Sequence, residues 1–143
     1  MIDSHQHFWQ YNPTKDAWIT DDMALIQRHF MPDDLLPLLK ESGVSGCVAV
    51  QADQSEAETN FLLQLAQQYP FIKGVVGWVD LQHPHIEERL LHFSQFASLK
   101  GWRHIIQAEP NGFMLHDSFK RGLKALAAFD YTYDLLVHQQ QLP

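Results

Sequence analysis

Four times along this chain a short apolar run is followed by residues at helical spacing and then by another apolar run, and this alternation leaves few folds open. The first strand occupies about residues 1–7. Pro32, well suited to a helix N-terminus, leads Leu35, Leu36, Leu38 and Leu39, and Gly43 stands where that helix stops. Gly46-Cys47-Val48-Ala49-Val50-Gln51 reads as a buried strand, followed by a helix carrying Glu58, Phe61, Leu62, Leu65, Ala66 and Tyr69 up to Pro70. Gly74-Val75-Val76-Gly77-Trp78-Val79-Asp80 is a third strand, and Ile86, Leu90, Leu91 and Ala97 lie on its helix. Gly101-Trp102-Arg103-His104-Ile105-Ile106-Gln107 is a fourth, with a helix capped near Asp117-Ser118 that carries Phe119, Leu123, Leu126 and Ala127. Tyr133-Asp134-Leu135-Leu136-Val137-His138 is the fifth strand.

Such connections are right-handed and build a parallel α/β sheet. Periodicity leaves two architectures: a complete five-stranded doubly wound sheet, or the first four and a half units of an eightfold barrel, which when whole runs to about 250 residues. The length of 143 residues favours the former. No linker or low-complexity segment divides the chain, so residues 1–143 read as one domain.

Ten scattered basic residues and a net charge of −7 speak against a nucleic-acid partner, which would demand a concentrated basic face. One cysteine, Cys47, excludes an internal disulfide framework and suits a reducing compartment. No apolar stretch approaches the roughly 20 residues of a membrane span, and the N-terminus enters a strand at once with no room for a signal peptide. The expected location is the cytoplasm.

Polar groups gather toward strand ends, where ligands bind in either architecture. In Asp3-Ser4-His5-Gln6-His7-Phe8-Trp9, alternation turns His5 and His7 the same way, close enough for both imidazoles to touch one ion or one substrate oxygen. A bare His-x-His also serves as ordinary hydrogen-bonding groups, so the rest of the chain must decide. On strand four, Arg103 and Gln107 share the face that would line a barrel interior, while His104 turns toward the helices. On strand two, Cys47, Ala49 and Gln51 share a face of small residues ending in a polar one. Strand three offers Trp78 and Asp80, and strand five offers Asp134 and His138. His83, His85, His92 and His116 fall in loops or helix flanks, where solvation is the ordinary role.

Six segments, in order, resemble a known family. They are Ile2-Asp3-Ser4-His5-Gln6-His7-Phe8-Trp9, Trp18-Ile19, Val50-Gln51-Ala52 with Glu58-Thr59, Gly74 to Asp80, Gly101 to Gln107, and Tyr133 to Val137. Together they are similar to the sugar-lactone hydrolase branch of the amidohydrolase superfamily, the L-fuconolactonase and L-rhamnonolactonase-like proteins. The resemblance implies a (β/α)8 barrel of the TIM type, of which this chain matches the N-terminal half. It also implies a strand-six histidine and a strand-eight aspartate, the latter orienting or deprotonating the attacking water, beyond the matched half. The expectation is little or no hydrolysis until that aspartate is supplied.

Lactone hydrolysis requires a polarised carbonyl, a deprotonated water and a stabilised oxyanion. By resemblance His5, His7 and Arg103 are the catalytic set, and His5 and His7 are ligands for one divalent, zinc-like ion. A metal-free variant, in which the histidines and arginine polarise the carbonyl themselves, stands beside it. A lysine-bridged pair of ions does not fit, because Lys100 precedes strand four and Arg103 occupies its interior. Gln51 and Gln107 are assigned to substrate hydroxyls, and Trp9, Trp18 and Trp78 to an apolar wall for a sugar ring. Arg103 has a structural alternative, an ion pair with Asp80 or Asp134. The same scaffold serves amide hydrolases and decarboxylases, and an incomplete barrel is the non-catalytic alternative. Strands one and five of a half-barrel each expose an edge, so self-association is expected.

Overall fold

The computed structural model describes residues 1–142; Pro143 lies outside the described residues. Strands β1 (Ile2–Gln6), β2 (Gly46–Val50), β3 (Ile72–Gly77), β4 (Leu99–Ile105) and β5 (Thr132–Leu136) alternate with helices α1 (Pro32–Glu41), α2 (Glu56–Gln68), α3 (Ile86–Phe93) and α4 (Asp117–Ala127). All four strand pairings are parallel, and the spatial order is β1-β2-β3-β4-β5. That order decides between the two architectures. A doubly wound sheet reverses direction at a switch point, which puts helices on both faces. Here every crossover steps the same way, so right-handed connections keep the helices on one face and leave the other as a barrel interior. The chain is a half-barrel of five parallel strands.

Local chemistry explains the element ends. Pro32 opens α1, where its missing N–H costs nothing, and Asp34 accepts a hydrogen bond from the Met31 N–H at 2.8 Å. Gly43 follows the helix at φ +65°, the left-handed position that ends it. Ser55 caps α2 by accepting from the Glu58 N–H at 3.1 Å. The cap expected at Asp117-Ser118 is corrected: the helix already begins at Asp117, and His116 precedes it without a side-chain cap. The third helix stops at Phe93, short of Ala97, and β4 stops at Ile105, so Gln107 sits in a 3-10 turn over Ile106–Ala108.

The helix side of the sheet is the apolar core, where Leu62, Leu63, Leu90, Phe93, Phe119 and Trp102 pack with Val75, Cys47 and Ala49. Each large side chain buried there contributes roughly 1.5–3 kcal/mol. On β2, Cys47 and Ala49 look toward the helices, and alternation turns Val48 and Val50 to the other face. A glycine permits one close approach in this layer, since a Cβ on Gly122 of α4 would lie 2.1 Å from the Leu81 carbonyl oxygen. Both outer strands, β1 and β5, have one edge unpaired among the described residues. No helix among these residues is long and apolar enough to cross a membrane.

Candidate active site

A register shift between Asp3 and Gln6 sets the direction of the β1 side chains. Asp3 pairs with Cys47 and Gln6 with Ala49, both helix-facing, and Asp3 accepts from the Gln6 amide at 2.7 Å. Between and beyond them, His5 and His7 turn to the open interior, with their Nε2 atoms 3.2 Å apart. Arg103 reaches the same point from β4, its Nη1 lying 3.3 Å from His5 Nε2. The structure thus brings together three residues separated by up to 98 positions in sequence.

Hydrogen bonds fix the protonation of this cluster. His7 Nδ1 lies 2.8 Å from the Val50 carbonyl, which can only accept, so Nδ1 carries a proton and in the neutral ring Nε2 is bare. Burial pulls the His7 pKa below the usual histidine range; the Val50 carbonyl opposes this, and the charges of Arg103 and His5 add to it. His5 Nε2 cannot both donate to His7 and accept from Arg103. If it accepts from the guanidinium, neither Nε2 carries a proton, and an ion at this point would take over the His5 lone pair that otherwise meets Arg103. Two imidazole nitrogens bound to one tetrahedral ion at about 2.0–2.1 Å lie roughly 3.3 Å apart, so the pair fits two positions of a divalent cation's shell. No group of three or more His, Cys, Asp or Glu side chains suited to an ion occurs among the described residues.

Arg103 is 6% exposed, and burial pulls its guanidinium pKa down while Asp134, its register partner on β5, opposes the shift. Its Nη2 donates to the Gln51 carbonyl and lies 3.3 Å from the Gln51 side-chain oxygen, while Gln51 Nε2 donates to the Arg103 carbonyl at 3.1 Å. Gln51 therefore spans from β2 to β4 across the end of β3 and holds the arginine, rather than presenting its amide to solvent. No carboxylate of the described residues forms an ion pair with Arg103, neither Asp80 nor Asp134. Its Nε is buried without a partner.

A cavity of about 950 Å³ opens beside this cluster, with His7, Arg103, Trp9, Trp18, Gln107 and Glu58 in its wall. Trp9 is positioned by an antiparallel bridge to Phe30, with reciprocal 3.0 Å backbone bonds and ring centroids 4.4 Å apart. Gln107 donates to the Val137 carbonyl at 3.4 Å. Trp78 is not in this wall: β3 ends at Gly77, and the Trp78 indole N–H donates to His104 Nδ1 at 3.2 Å on the helix side. His104 in turn reaches Glu109 at 2.9 Å. His138 is exposed and its backbone caps a final 3-10 turn.

The amidohydrolase family model matches residues 2–143. The chain belongs to the amidohydrolase family. Among curated amidohydrolase relatives, an L-fucono-1,5-lactonase of Burkholderia multivorans is 42% identical over 99% of this chain and 48% of its own length. An L-fucono-1,5-lactonase of Burkholderia ambifaria is 34% identical over 99% and 49%. A crystal structure of a Burkholderia multivorans amidohydrolase with bound zinc superposes with a TM-score of 0.93 at 41% identity, covering 98% of this chain and 50% of that one. Amidohydrolase 2 from Bifidobacterium longum subsp. infantis gives 0.65 at 25% identity, over 95% and 51%. The chain spans about half the length of the curated relatives it matches.

Sequence reasoning placed Glu58 on the second helix and in a family-like segment but gave it no role at the site. Ser55-Glu56-Ala57-Glu58 has the spacing of a capping box, which would send the glutamate back to the Ser55 N–H. Instead Glu58 accepts from the Ala52 N–H at 3.0 Å and faces the cavity. Lys15 and Asp53, paired at 3.1 Å across the same wall, were likewise without a signal in local spacing.

Proposed function

We propose that this chain supplies the histidine and arginine half of a sugar-lactone hydrolase active site, with residues 1–143 acting as one folding unit. The observation that carries the reading is the convergence of His7 Nε2 and Arg103 Nη1 on His5 Nε2, at 3.2 and 3.3 Å, beside the cavity. The relatives that are L-fucono-1,5-lactonases point to a sugar lactone as substrate. A single unpaired and buried cysteine suits a cytoplasmic setting.

Arg103 is the electrophilic element. Its buried guanidinium carries an unsatisfied Nε–H and keeps its charge against a low-dielectric wall, where a developing oxyanion gains most from it. Gln51 holds the guanidinium plane through two contacts and so prevents it from swinging into solvent. His7 presents a bare Nε2, with the Val50 carbonyl fixing its tautomer, and accepts a proton or a hydrogen bond from the attacking water. Alternatively, the same Nε2 lone pairs of His5 and His7 would hold a divalent ion, which when bound supplies Lewis-acid polarisation and lowers the pKa of water, and His7 would then ligate rather than accept from the water. Trp9, Trp18 and Gln107 line the space for the ring. The resemblance assigns the distal aspartate to the other half of the barrel.

The test is lactone hydrolysis, followed by acid release, with this chain alone and co-expressed with the C-terminal half of the Burkholderia multivorans relative. Turnover in the combination, lost by more than about a hundredfold in His7→Ala and in Arg103→Met, is expected. Turnover unaffected by both substitutions, or a preference for amide or carboxylate substrates over lactones, overturns the reading.

A further inference from the structure

We propose that Glu58 is a substrate-binding residue that recognises a ring hydroxyl in the cavity. This rests on the reading of the site as one for a hydroxylated lactone. The glutamate lies in the first turn of α2 and is 7% exposed, yet it belongs to the cavity lining. One carboxyl oxygen, Oε1, accepts from the Ala52 N–H at 3.0 Å; the other has no hydrogen-bond partner among the described residues. The nearby cation that would neutralise it is engaged elsewhere, since Lys15 pairs with Asp53 at 3.1 Å, and Asp53 also accepts from the Ser55 hydroxyl at 2.8 Å. Ser55 has its own role as the α2 cap, so Glu58 is not needed to complete that helix end.

The second oxygen is not fully buried, so it opens onto the cavity, where a ligand hydroxyl can take the place of solvent. Burial raises the Glu58 pKa, the Ala52 bond and Lys15 oppose the rise, and the neighbouring carboxylates Asp53 and Asp16 add to it. Apart from the guanidinium of Arg103, a carboxylate brought by a substrate would meet Glu58, Asp53 and Asp16 in the cavity lining against Lys15 alone. A neutral hydroxyl meets no such repulsion, and it can donate to the carboxylate or accept from the carboxylic acid. The wall therefore selects a neutral, hydroxyl-bearing ring, and Glu58 is the group that reads the hydroxyl.

The experiment is equilibrium binding to the intact chain, followed by the fluorescence of Trp9 and Trp18 and by calorimetry. The probes are a carbonyl-free anhydro-alditol ring of the fucose configuration and δ-valerolactone, which has the carbonyl but no hydroxyls. Glu58→Gln is expected to weaken the hydroxylated ring by about threefold to tenfold and Glu58→Met by tenfold or more, while δ-valerolactone changes less than about twofold, as loss of one charge-assisted hydrogen bond implies. Equal effects on both probes, unchanged affinity for the hydroxylated ring in Glu58→Gln, or no binding of that ring by the wild-type chain each overturn the inference. Should Glu58→Met not fold, the isosteric Glu58→Gln decides alone. The ring probe has no carbonyl, so it does not report on His7 or Arg103 chemistry. Lost hydrolysis with retained Glu58-dependent ring binding removes the proposed function and leaves this inference standing.

Discussion

Replacing Thr59 by valine removes one hydroxyl from the helix that packs on β3, and the cost can be worked from two bonds. Thr59 is fully buried, and its Oγ1 accepts from the Trp78 N–H at 2.8 Å while donating to the Trp78 carbonyl at 2.7 Å. One side chain thus satisfies both backbone groups of the residue that follows β3. Valine has nearly the same volume and helix propensity, so packing and propensity cancel to first order. Each orphaned backbone group costs about 1–3 kcal/mol, and the gained methyl returns about 0.8 kcal/mol, leaving a net loss near 3 kcal/mol. With a urea slope of roughly 2 kcal/mol per M, the unfolding midpoint drops by about 1.5 M. Thr59→Ser keeps both bonds and deletes a methyl, for about 1 kcal/mol and a drop of about 0.5 M. Urea unfolding followed by circular dichroism compares the three proteins. A valine variant no less stable than the serine variant would refute the bookkeeping.

His7 should titrate below the ordinary histidine range, because burial and the neighbouring charges of Arg103 and His5 disfavour its cation. Its folded-state pKa is depressed, so its contribution to stability is fully present above the unfolded value and is lost as pH falls through the folded one. A proton NMR titration checks this, and Arg103→Met should shift the curve upward; a His7 resonance titrating at or above the free-imidazole value would contradict it. Gly122→Ala should destabilise by about 1–3 kcal/mol despite the better helix propensity of alanine, since the new Cβ meets the Leu81 carbonyl oxygen; an unchanged urea midpoint would show that α4 yields. The unpaired edges of β1 and β5 should drive self-association that rises with concentration in sedimentation, and a monodisperse monomer across the micromolar range would count against it.

Much of the scaffold is written in local pattern. The runs at Gly46, Gly74 and Gly101 become strands because β-branched and aromatic residues alternate there over lengths too short for a helix. Pro32, Gly43 and Ser55 set helix ends through backbone chemistry that needs no tertiary context. Periodicity did not supply the sequential strand order; that had to come from the resemblance, because doubly wound and barrel units share one local pattern. At the site, Arg103 was readable because it lies within β4, whereas His7 stands one residue past β1 and is held beside His5 by the Val50 carbonyl. Trp78 was misread because alternation stops where β3 stops, and the Thr59 clamp then fixes the backbone so that the indole finds His104. Gln51 lies beyond β2 in the same way, and its direction is set by Arg103 rather than by the parity of the strand. Glu58 was read only as a helix position, because nothing in its spacing shows that its carboxyl meets the Ala52 N–H and the cavity.

The neighbours Arg103 and His104 point to opposite sides of β4. Behind the strand, His104 is held between Trp78 and Glu109 and stacks on Phe113, with ring centroids 4.9 Å apart. Any repacking that shifts this ring moves the peptide it shares with Arg103, and with it the guanidinium at the cavity. Residues of the hydrophobic layer therefore act as an adjustable backstop. Changing Phe113 or Glu109, neither of which lies in the cavity wall, would reset where β4 holds the arginine.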